Sequence, residues 1–113
     1  MHVLLAAISL AGAQAASPAQ AEPSAQIVAQ ALDRCMATYA VRLTKTDASD
    51  EAIFTEATTS CLPLNVRLRA AINAQLPPPQ AAGVIRSLDA QAKPNFMTML
   101  AKIRSDRASK PAQ

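Results

Sequence analysis

This chain has few aromatic residues, little glycine and no histidine after position 2. Tyr39, Phe54 and Phe96 are its only aromatics and tryptophan is absent. That composition argues against a β-sheet, because strands draw on aromatic and β-branched residues. Gly12 and Gly83 stand alone, so no glycine-rich loop is available to cradle a phosphate. Acid–base and nucleophilic enzymes need a positioned base, most often His, or two carboxylates in unlike surroundings. Here Asp47, Asp50 and Glu51 cluster where helix capping explains them, while Asp33, Glu56, Asp89 and Asp106 are scattered. The sequence reads as that of a non-enzyme without cofactor or metal site. Met97-Thr98-Met99 has the M-x-M spacing of soft Cu(I) ligands. On a helix, however, residues two apart point about 200° away from each other, and core packing is the expectation for Met99.

Charged residues are also missing from the N-terminus. Val3 to Ala11 is an apolar run, followed by small residues and two A-x-A sites, Ala13-Gln14-Ala15 and Ala19-Gln20-Ala21. The pattern predicts a secretory signal peptide over residues 1–21, cleaved after Ala15 or Ala21, even though no Lys or Arg precedes the run. As a helix the run covers roughly 14 Å, about half of a bilayer's hydrocarbon core, so it is too short to span one. Ala13 stands where a lipoprotein signal requires cysteine, which excludes a lipid anchor of that kind. The expected product is an exported protein, periplasmic or secreted, and not an integral membrane protein.

What the chain does have is alanine and helical periodicity. Residues 22–113 leave room for one domain, and no period-two alternation marks a strand. Val28, Leu32, Cys35, Met36, Tyr39 and Leu43 recur at threes and fours, as do Phe54, Ala57, Cys61, Leu64, Leu68, Ile72 and Leu76. Between them lies "TKTDASDEA", residues 44–52. Arg42 and Lys45 suit the negative end of the first helix, Asp47 or Ser49 can cap the second, and Asp50 and Glu51 suit its positive end. The stretch therefore reads as a helix stop followed by a helix start, and the two helices fold back as an antiparallel hairpin.

The turn also places the two cysteines. Cys35 and Cys61 each lie about twelve residues from it, roughly 18 Å along their own helices, and so come face to face. In an oxidising compartment they form a structural disulfide worth roughly 3–4 kcal/mol on the chain-entropy model. A redox dithiol would show C-x-x-C, and a zinc site needs more ligands.

Pro63 falls inside the second stripe and predicts a kink or break. "PPP" at 77–79 ends that segment, and Pro79 suits the start of a helix with Val84, Ile85, Leu88 and Ala92 inside. Pro94 predicts another interruption, followed by a last helix with Phe96, Met99, Leu100 and Ile103 inside, and a frayed tail from about residue 108. The expected fold class is all-α, a bundle of three to four helices built on the disulfide-linked hairpin.

Charge is unevenly distributed. Residues 22–61 carry three basic and six acidic side chains, a net of −3, whereas residues 62–113 carry eight basic against two acidic, a net of +6. Arg67, Arg69, Arg86, Lys93, Lys102, Arg104 and Arg107 thus form a candidate surface for an anionic partner. Asp89, four residues before Lys93, suits a helix-surface ion pair. Nucleic acid fits poorly, since no aromatics interleave the basic residues and export separates the protein from it. The expected function is an exported, non-enzymatic binding or adaptor protein of the bacterial cell envelope, with an acidic envelope protein as partner. The alternatives are a peripheral binder of anionic lipid using the basic C-terminal helix, or a small carrier with an apolar cavity between its helices.

Overall fold

In the computed structural model, which describes residues 24–110, helix begins at once. Ser24 accepts a hydrogen bond from the Ile27 N–H at 3.3 Å and caps α1, Ala25–Leu43. The polar stretch then does both of its expected jobs. The Thr44 N–H closes α1 on the Ala40 carbonyl, and Ser49 caps α2, Asp50–Ser60, by accepting from the Ala52 N–H at 3.1 Å. Asp50 and Glu51 lie in the first turn of α2, where they favour the helix dipole. The signal-peptide reading and its cleavage sites fall outside the described residues.

Pro63 breaks the second stripe, as expected. α2 ends at Cys61, and α3, Leu62–Gln75, starts there with the proline in its first turn, where the missing N–H costs nothing. α4, Pro78–Ser109, starts one residue earlier than expected, with Pro78 and Pro79 opening the helix.

At Pro94 the helix does not break: α4 runs through it as one element. Its tertiary anchors explain the continuity, since Ala81 is buried before the proline and Phe96 and Leu100 after it. Pro94 and Ala90 are both exposed, so water can satisfy the Ala90 carbonyl that the proline deprives of a donor. The helix also carries Ala108 and Ser109, where fraying was expected. Substituting Pro94→Ala should stabilise the protein by about 2 kcal/mol, because it restores a helical hydrogen bond and removes the ring clash. Thermal denaturation followed by circular dichroism measures this, and an unchanged or lowered midpoint would contradict it.

Among the described residues four helices form a small bundle. α1 packs on the α2–α3 return, and α4 runs back across both. The interior is divided between two cores. At one end Ala40, Ile53, Ala57, Phe96 and Leu100 are buried together, with the rings of Phe54 and Phe96 5.4 Å apart in a tilted pair. At the other end Val28, Leu68, Ile72 and Ala81 are buried together. The Cys35–Cys61 disulfide ties the middle of α1 to the α2–α3 break, with Cα atoms 6.0 Å apart.

α4 does not pack along its whole inner face. Val84 and Leu88, expected inside, are 40% and 42% exposed, and Ala92 is exposed as well. Polar partners hold this stretch instead: Asp89 pairs with Arg69 of α3, and Lys93 with Glu51 of α2.

Candidate functional site

A cavity of about 750 Å³ lies between the cores, walled by α1, the α2–α3 break and α4. Leu32 and Met36 line it from α1, and Leu68 from α3. Ile85, Phe96 and Met99 face it from α4, and Phe54 closes one end. Cys61 is part of the wall and only 1% exposed, so the disulfide fixes the side of the cavity as well as the hairpin. The size falls within the range of small-molecule sites, and the lining has their composition: mostly apolar, with a few polar groups.

The polar groups gather at the rim. Thr58 and Asn65 border it on one side and Gln91 and Asn95 on the other. Arg69 reaches from α3 to form an ion pair with Asp89 on α4, and its Nε also donates to Asn65 Oδ1 at 2.8 Å. Asp33 lines the rim from α1 and forms no ion pair among the described residues. Leu62 and Leu88, half exposed, extend the apolar lining outward.

Five of the seven basic residues singled out from the sequence are engaged within the molecule. Lys93 bonds Glu51 and Arg104 bonds Asp50, each at 2.7 Å, so α4 meets the acidic N-terminus of α2. Lys102 pairs with Asp106 one turn on at 3.1 Å. Arg107 donates to Thr44 Oγ1 at 2.9 Å and to the Val41 carbonyl at 3.5 Å. Only Arg67 and Arg86 of the seven have neither an ion pair nor a side-chain hydrogen bond among the described residues. The pair expected between Asp89 and Lys93 is replaced by Arg69–Asp89 and Glu51–Lys93, because both partners find an opposite charge on a neighbouring helix. All of these pairs are partly exposed, so each contributes at most about 1 kcal/mol.

Much of the charge asymmetry is thus used within the molecule. Sequence counting missed a smaller basic face on α1 and the turn that follows it. There Arg34, Arg42 and Lys45 surround a shallow depression with Val41, and Arg42 also lies over the Tyr39 ring at 5.1 Å. Met97 and Met99 both pack against the core that contains Phe96. No helix among the described residues is long and apolar enough to cross a membrane. No protein-family model, no characterised protein and no solved structure matches this chain, so its function is read from the cavity and the groups around it.

Proposed function

We propose that this protein is a small exported carrier that holds an apolar molecule between its helices. The observation that carries the reading is the apolar cavity of about 750 Å³, open at a polar rim and bounded by the disulfide. The N-terminal apolar run and the disulfide support export. A second reading, an adaptor for an acidic protein of the cell envelope, is favoured by Arg34, Arg42 and Lys45 on the outer face of α1 and the turn that follows it.

Titration of the protein with the fluorescent apolar probe N-phenyl-1-naphthylamine tests the first reading. The expected result is saturable binding at one probe per chain. Ala92 lines the cavity from an exposed position on α4, so Ala92→Phe should fill the space and weaken binding at least about tenfold, the effect of losing a well-buried apolar contact. Circular dichroism should be unchanged, since exposed substitutions seldom disturb a fold. Absence of saturable binding, or full binding by a folded Ala92→Phe variant, would overturn the carrier reading.

A further inference from the structure

The charges at the cavity mouth are not balanced. Among the described residues Arg69 is the only cation lining the cavity, and its charge is taken up by Asp89, with Asn65 holding the guanidinium in place. Asp33 remains, a carboxylate on the rim without a cationic partner among the described residues. Lys93 lies nearby, 5.9 Å from the centre of the Phe54 ring, but it is engaged by Glu51. The mouth therefore combines an apolar interior, neutral hydrogen-bonding groups and one uncompensated negative charge.

From this arrangement we infer that the cavity takes a cationic amphiphile, a hydrocarbon body with an ammonium head group that sits at the rim against Asp33. The inference rests on the carrier reading and adds the ligand's charge to it. The hydrocarbon fills the space lined by Leu32, Met36 and Ile85. Its head stays at the half-solvated mouth, so the cation keeps much of its hydration, and an anionic head would face the same carboxylate unfavourably.

The test compares three ten-carbon probes by isothermal titration calorimetry, all below the concentrations at which they form micelles: decyltrimethylammonium, decanol and decanoate. The cation should bind about tenfold more tightly than decanol, the scale of one unit charge in contact at a protein surface, and decanoate should bind most weakly. Asp33→Asn should abolish the preference for the cation over decanol and leave decanol binding as it was. Asp89→Asn releases the Arg69 charge into the mouth and should raise decanoate to at least the affinity of the cation. Decanol or decanoate binding as well as the cation to the unaltered protein would overturn the inference while leaving the carrier reading in place. So would a cation preference that survives Asp33→Asn. If none of the three bound, the inference and the carrier reading would both fall.

Discussion

Replacing Cys35 and Cys61 together by alanine is expected to lower the stability of the protein by about 3.5 kcal/mol, the chain-entropy value for a loop of this length. The two cysteines are 26 residues apart in sequence, and the bond between them closes the whole α1–α2 hairpin. Alanine is preferable to serine because Cys61 is almost completely buried, and a hydroxyl there would add a desolvation cost unrelated to the cross-link. For a domain of this size such a loss should lower the melting temperature by roughly 15–25 °C. The cavity wall should loosen as well, since Cys61 forms part of it. A double variant melting within about 5 °C of the parent would show that the hairpin holds its register without the bond.

Leu100→Ala should be the most damaging single substitution of a core side chain, costing about 3–4 kcal/mol, as buried leucines do when the space they leave stays unfilled. Leu100 is 0% exposed and packs with Ala40, Ile53, Ala57 and Phe96 in the core beyond Pro94. Two of its four buried neighbours are alanines, Ala40 and Ala57, which have no side-chain reach with which to close a gap. Leu88→Ala, on the same helix but 42% exposed, should change stability by less than about 0.5 kcal/mol. Urea denaturation of the two variants gives the comparison directly. Equal midpoints would mean that α4 is not held by its end beyond the proline.

Most of the hairpin was legible in the sequence. Two stripes of threes and fours, a polar stretch with a cap on each side, and two cysteines equidistant from it determine α1, α2 and the disulfide with no reference to other parts of the chain. Ile53 and Ala40, both 0% exposed, were not singled out, though Ile53 lies four residues before Ala57 and continues the stripe. Periodicity misled at Val84 and Leu88, because it marks the apolar side of a helix and says nothing of whether a neighbour lies opposite. At Pro94 the helix does not break, because burial of Phe96 and Leu100 outweighs one lost hydrogen bond. Summing charge by segment suggested an external anionic partner, whereas Asp50–Arg104 and Glu51–Lys93 join the acidic and basic segments to each other. The place of the cavity was not legible either, since periodicity marks the apolar side of each helix and not the space between them.

That division of the interior into two cores bears on how tightly a guest can be held. A space formed by pushing helices apart would have to be opened anew each time, and the cost of opening would be subtracted from the affinity. Here α4 is anchored at Ala81 at one end and at Phe96 and Leu100 at the other. An entering molecule need displace neither anchor, and Cys61 in the wall is held by its bond to Cys35. The site is preorganised: its shape is settled during folding, and contact with the guest contributes to affinity with little spent on rearrangement.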